Sequence, residues 1–319
     1  MNRFLPGALR DWVKEVGAAW DRFWFTPAAP HTLCLIRLLA GGMLFYTHLV
    51  WTKDLMAFLG PRAWVSPETA RALNEGTTAW SYLWYIESPA LLWSVHLLAL
   101  AIFAMLCVGF QTRVVAVLAW LISVAYCHRL TGALFGLDQI NTMLAMYLML
   151  GASGDVFSVD RWLARRRAGG SLPPPTPRVS TNIAIRLIQL HMCVIYLFGG
   201  IGKMRGELWW DGFALWYAAA NWEYQSLDLT WLGAMPLVFS FLTHVTVFWE
   251  TFYCFLVWPR LTRPITLGLA VLVHGGIAIF LGMITFGLAM LIGNLAFVPP
   301  RLVKSAVEGA QRRRSGAGG

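Results

Sequence analysis

Apolar residues in this chain run in long blocks, not in the i, i+3, i+4 stripes of a water-facing amphipathic bundle. Blocks at roughly 32–52, 89–109, 113–130, 139–157, 182–202, 233–258, 265–282 and 284–298 are bounded by charged, Pro- or Gly-containing stretches. A hydrocarbon core of ~30 Å takes about 20 residues of helix, so the pattern predicts an all-α, polytopic membrane helical bundle of about eight spans. The last two blocks cannot be one straight helix, which would be about 50 Å long at 1.5 Å per residue. A break is expected at "LGMITFG", with 284–298 either crossing or re-entering.

Between the blocks, three stretches differ in kind. Residues 1–30 mix tryptophans with acids and bases and lack a short apolar core ending at a small-residue cleavage site. This predicts an interfacial amphipathic helix and not a signal peptide. Segment 158–180, with Arg165, Arg166 and Arg167 followed by Gly and Pro, reads as a basic linker within a transmembrane domain 31–298, joining halves 31–157 and 181–298. Orientation, solvation or a lipid-headgroup or partner site are all open uses for it. Residues 299–319, ending "QRRRSGAGG", read as a basic, disordered cytoplasmic tail.

Composition agrees with a bilayer environment. Hydrophobic residues make up 58% of the chain, charged residues only 13%, and the mean hydropathy is +0.58, too apolar for a water-facing surface. The net charge of +9 would suit nucleic acid if it lay on one soluble face, but it clusters between spans. Most of the basic residues fall on one side when the N-terminus is placed inside, which predicts a multi-pass protein with both termini cytoplasmic. An inner or plasma membrane is expected if the chain is bacterial, with the lipid bilayer and no nucleic acid as partner. Segments 53–88 and 203–232 then become two aromatic-rich outer loops capping a vestibule.

The candidate chemistry is sparse. Cys34, Cys107, Cys127, Cys193 and Cys254 lie in apolar segments without CxxC spacing and read as core residues. No histidine pair has metal-ligand spacing, so no metal is expected. The chain has no P-loop, dinucleotide fingerprint, metalloprotease motif or nucleophile elbow.

Ionisable residues inside spans are costly and therefore informative. Arg37 and Arg186, near span starts, either snorkel or pair with a carboxylate. Glu250 needs a partner, and His244 and Arg186 are candidates. His48, His96, His191 and His274 can each be helix-packing or functional. Lys203 closes an apolar stretch behind Gly199, Gly200 and Gly202, where small residues admit a neighbouring backbone or a flat ligand. It is either a snorkelling anchor or an amine partly desolvated by Trp209 and Trp210, able to act as a base.

The run "YLFGGIGKMRGELWWDG" resembles the signature of the HTTM (horizontally transferred transmembrane) domain family, which includes vitamin K-dependent gamma-glutamyl carboxylase. Tyr196, Gly200, Lys203 and Trp209 match its Y-x-x-A-G-x-x-K-like stretch and following tryptophan. "RLLAGGMLFY", "LDQINTMLAMYLML" with Asn141, "FWETFYCFLVWPR" and "VLVHGGIAIFLGMITFGLAML" are similar more weakly. Ile140 and Thr142 flank Asn141 where the family has a histidine, and apolar "GGIAIF" follows His274.

The resemblance implies a membrane enzyme of carboxylase-like lyase or oxidoreductase chemistry, with a reduced, vitamin K-like quinone entering from the bilayer. Lys203 would be the base, with His274 and Asn141 orienting the substrate. Gly199, Gly200, Trp209 and Trp210 would hold the cofactor. Glu250 would brace helices, with Arg37 and Arg186 in structural or ion-pair roles. A separate soluble partner protein is expected to hold any protein substrate. A transporter or lipid-handling protein, and a non-catalytic membrane subunit or assembly factor, remain alternatives.

Overall fold

The computed structural model describes residues 7–316, with side chains for 7–309, and is helical nearly throughout. Among the described residues the one extended pairing is an isolated antiparallel bridge between Ala28 and Arg178. The surface helix α1 (Gly7–Phe25) buries none of its residues and leaves Trp12, Val13, Val16 and Trp20 exposed. Residues 1–6 of the expected interfacial segment lie outside the described residues.

Four long helices build the first half. α2 (His31–Trp51) runs through a 3-10 turn into α3 (Leu55–Leu59), and α4 (Pro67–Leu73) sits in the following loop. α5 (Pro89–Val108) starts where sequence rules place a start: Ser88 accepts from the Leu91 N–H, and Pro89 occupies the first turn, where no donor is lost. α6 (Thr112–Arg129) is capped from a distance, since the Asp160 carboxylate accepts from the Gln111 and Thr112 backbone N–H groups, each at 2.8 Å. α7 (Gly136–Leu148) closes this half against α2 and α6.

The expected linker holds α8 (Val159–Arg167), capped by Ser158. The second half contains α9 (Val179–Met204), the short α10 (Glu207–Trp210) and α11 (Ala214–Ala220), and then α12 (Pro236–Leu256), α13 (Arg263–Phe280) and α14 (Ile284–Asn294). The chain breaks between α13 and α14 at Gly282, within the predicted "LGMITFG". The two halves share a core: Ile36, Ala40 and Met43 of α2 and Met143 and Leu144 of α7 pack in one cluster with Met192, Tyr196, Tyr253 and Met290 of the second half.

Five stretches are long and apolar enough to cross a membrane: His31–Leu59, Pro89–Val108, Val179–Met204, Pro236–Leu256 and Arg263–Phe280. A bent pair, Ile284–Phe297 with Pro300–Gly309 at 111°, brings the number to six if counted as one span. The expectation of about eight counted hydropathy windows. α7 is helical for only 13 residues, about 20 Å at 1.5 Å each, because the Gly-containing stretch after it turns. The tail is also a correction, since α15 (Pro300–Gly316) is a helix and not a disordered segment. It packs on α2 and buries Val303; residues 317–319 lie outside the described residues.

Candidate functional site

Tyr196, Gly199, Gly200 and Lys203 are spaced i, i+3, i+4 and i+7 on α9 and so share one helical face. That face meets α12. A Cβ on Gly200 would lie 2.6 Å from the Thr251 backbone nitrogen, so only glycine permits this helix approach. One residue earlier the requirement is opposite. A Cβ on Gly199 would meet only two side-chain tips, Glu250 Oε2 at 3.4 Å and Lys203 Nζ at 3.9 Å. Gly199 therefore leaves a cradle open beside both charged groups.

Those groups are paired: Lys203 Nζ donates to Glu250 Oε2 at 2.6 Å. The lysine side chain is 27% exposed and the glutamate 9%. Helical side chains lean toward the N-terminus of their helix, which carries the ammonium back from the end of α9 to the level of Gly199. Glu250 stands two-thirds of the way along the antiparallel α12. The Trp209 ring, whose centroid is 5.3 Å from Nζ, forms a wall on the lysine.

Behind the pair lies a buried polar network. Tyr253 donates to Asn294 Oδ1 at 2.6 Å, and Asn294 Nδ2 donates to the Tyr196 hydroxyl oxygen at 2.8 Å. The Tyr196 oxygen also lies 2.7 Å from His274 Nε2. With its oxygen already accepting from the amide, Tyr196 serves the network by donating to Nε2, which assigns the neutral ring proton to Nδ1. His274 Nδ1 is buried without a partner. Aromatic packing fixes the geometry: Tyr196 and Tyr253 stack at 4.0 Å, and Trp249 meets the Tyr196 ring at its edge.

The other expected positions go elsewhere. Asn141 is buried, and neither its Nδ2 nor its Oδ1 has a hydrogen-bond partner. It lines a small cavity of about 10 Å³ with His48, Tyr126 and Asp138, and none of the residues around Lys203 lines that cavity. The volume is close to what one water needs. The expected grouping of Asn141 with Lys203 and His274 is thus corrected, because Asn141 points into the first half. Trp210 turns away from the lysine and donates to the Met204 carbonyl at 2.6 Å, closing the end of α9.

Glu250 pairs with neither predicted partner. His244 lies 2.7 Å from the Ser240 carbonyl and 3.0 Å from that of Trp210. Arg186 donates to the Phe23 carbonyl and Gln189 Oε1, with its guanidinium over the Phe23 ring. Arg37 neither snorkels nor meets a carboxylate. It is fully buried and donates to the carbonyls of Ser153, Leu106, Cys107 and Phe157.

Asn294 was missed by sequence reasoning, although a lone amide inside "GLAMLIGNLAF" carries the same signal as the other polar residues within apolar runs. The five cysteines are free. Among the described residues no group of three or more His, Cys, Asp or Glu is placed to hold a metal ion. No family model, no curated protein and no solved structure matches this chain.

Proposed function

We propose that this protein is a membrane-embedded enzyme in which Lys203 and Glu250 share a proton and Lys203 serves as base toward a lipid-soluble substrate. The observation that carries the reading is the cradle at Gly199, which opens beside a salt bridge of 2.6 Å. Within the pair, the lysine proton has an acceptor in direct contact. Its transfer to Glu250 leaves a neutral amine and a neutral acid, with no separated charges in a low-dielectric setting. The Tyr253–Asn294–Tyr196–His274 chain holds the helices around the pair and sets their register.

The resemblance to the carboxylase-related family suggests a reduced quinone as the lipid-soluble group, supplying reducing equivalents when bound. A flat, apolar molecule of that kind would lie against the bare backbone at Gly199 and the indole wall of Trp209. Lys203, Gly199 and Trp209 would hold it. The chain would cross the bilayer about eight times with both termini cytoplasmic, as its basic residues suggest, and a soluble partner would bring any protein substrate.

A second reading has an observation of its own. The salt bridge is closed and its glutamate buried, as in a structural brace of a non-catalytic subunit. Lys203→Arg separates the two, because guanidinium keeps the ion pair but does not give up its proton. Mass spectrometry of the small molecules that co-purify in mild detergent with wild type, Lys203→Ala and Lys203→Arg tests binding. A quinone or other lipid held by wild type and Lys203→Arg but lost in Lys203→Ala supports the site. Lys203→Arg should also leave that molecule unconverted where wild type turns it over. Identical bulk phospholipid in all three would leave the brace as the function of the pair.

A further inference from the structure

The segment joining the two halves builds an open cleft of about 620 Å³ that has no part in the site around Lys203. Its walls include Phe157, Arg161, Trp162, Arg165, Ser171 and Leu172. Arg161 and Arg165 are one helical turn apart on α8 and line the same space. Each closes the cleft with one backbone contact: Arg161 donates to the Pro173 carbonyl, and Arg165 Nε donates to the Gly170 carbonyl at 2.6 Å. A guanidinium has five N–H donors, so both retain donors beyond these.

Their charge is not neutralised by the protein. Among the described residues neither arginine forms an ion pair with a carboxylate. The two acids of the same segment are committed elsewhere: Asp155 pairs with Arg178 at 3.2 Å, and Asp160 caps α6. The wall is also strained. Phe157 has φ +52°, a left-handed conformation that a bulky residue adopts at a cost. Its carbonyl accepts from the buried Arg37, which holds it there. Phe157, part of the cleft wall, is thus fastened to the core of the first half.

We infer that this cleft binds the phosphate headgroup of an anionic phospholipid. Two adjacent guanidiniums suit the oxygens of a phosphate, which they take bidentately. Free inorganic phosphate has the same oxygens, but it has no use for apolar walls. Phe157, Leu172 and the half-exposed Trp162 beside the cations match an amphiphile whose glycerol and acyl carbons follow its phosphate. The cleft is built by the chain that leads from α7 into α9, a helix long and apolar enough to cross a membrane, which sets it beside a lipid-facing element. The inference is independent of any chemistry at Lys203.

Native mass spectrometry of the full chain in detergent, titrated with phosphatidylglycerol, phosphatidylcholine and inorganic phosphate, tests it. Arg161→Gln with Arg165→Gln should weaken phosphatidylglycerol binding by roughly fivefold per arginine, with little change in phosphatidylcholine binding. Arg113→Gln with Arg167→Gln removes the same charge from exposed positions outside the cleft walls and should leave binding within about twofold. Equal losses in the two double variants would reduce the effect to general electrostatic attraction and overturn the inference. So would displacement of the lipid by millimolar inorganic phosphate, which would make this a free-anion site. Where the Gln pair lowers monodispersity, Arg161→Lys with Arg165→Lys keeps the charge and loses the planar fork. Intermediate binding is expected from it, and binding equal to wild type would exclude a guanidinium-specific site.

Discussion

Arg37 and Lys203 are both cations drawn into the helical bundle, one in each half, and they are held by different kinds of partner. Arg37 is wholly buried and spends its donors on four backbone carbonyls at the ends of α5 and of the segment after α7. Those acceptors cannot take a proton or move without unwinding their elements. Lys203 is partly exposed and meets one carboxylate and one indole, both side chains. Side-chain partners can exchange a proton or swing aside for a ligand. A buried charge satisfied by backbone is therefore architecture, whereas one satisfied by a titratable side chain, beside open space at Gly199, is available for chemistry.

The largest effect should come from breaking the architectural side. Arg37→Met leaves several buried carbonyls without donors at roughly 1–3 kcal/mol each, so a loss of at least about 3 kcal/mol is expected in thermal or denaturant unfolding in detergent. Arg37→Lys should recover little of it, because a point ammonium does not span the positions of a planar fork. Wild-type stability in Arg37→Lys would show that the carbonyls do not depend on that geometry.

Breaking the other cation should cost less and be repairable. Lys203→Met leaves Glu250 buried alone, at about 2–3 kcal/mol, below the 3–5 typical of fully buried pairs since solvent reaches the lysine. Lys203→Met with Glu250→Leu should restore most of that stability without restoring the lipid binding proposed at Lys203. A double variant no more stable than Lys203→Met would argue that the pair has further partners, as double-mutant cycles measure directly.

Two asparagines sharpen the same contrast on a smaller scale. Asn294 bonds both tyrosines, so Asn294→Leu orphans the Tyr253 hydroxyl, leaves Tyr196 with His274 alone, and should lower stability by about 1–2 kcal/mol. Asn141 has no partner, so Asn141→Leu should be neutral or slightly stabilising in the same assay. A clear loss for Asn141→Leu would indicate a bound water in its cavity.

The smallest effect is expected in the loop between α11 and α12. Thr230, through its hydroxyl and backbone N–H, holds the Asp228 carboxyl below the usual carboxylate range. A depressed value in the folded chain means that this contribution is complete above the ordinary carboxylate pKa of about 4. It is lost as pH falls through the lower folded value. Tryptophan fluorescence from Trp222 and Trp231 should shift in that acid window with no change in helical circular dichroism, and Asp228→Asn should abolish the shift.

How much of this was legible in the sequence differs from element to element. Long apolar runs, Ser-Pro starts such as Ser88–Pro89 and the break at Gly282 are local signals, and α2, α5, α9, α12 and α13 lie where those signals put them. α7 ends early because the turns after it fold back over α2 and the end of α5, where Ser153 and Phe157 reach Arg37. α15 is helical because Val303 finds α2. At the site, the i, i+3, i+4, i+7 face of α9 could be read directly from spacing. The partner of Lys203 could not, since Glu250 is 47 residues away and spacing within α12 pointed to His244.

What the sequence alone determined is the class of solvent and the identity of the exceptional residues: a helical chain too apolar for water, with Arg37, Lys203, Glu250, Asn141 and His274 standing inside its apolar runs. Burial cost is a property of each residue and its neighbours along the chain, so it shows in one dimension. Tertiary structure alone decided how each cost is offset. It gave Arg37 to backbone carbonyls, Lys203 to Glu250 and His274 to Tyr196, and it left Asn141 apart, because those partners are chosen by how helices distant in sequence align in space.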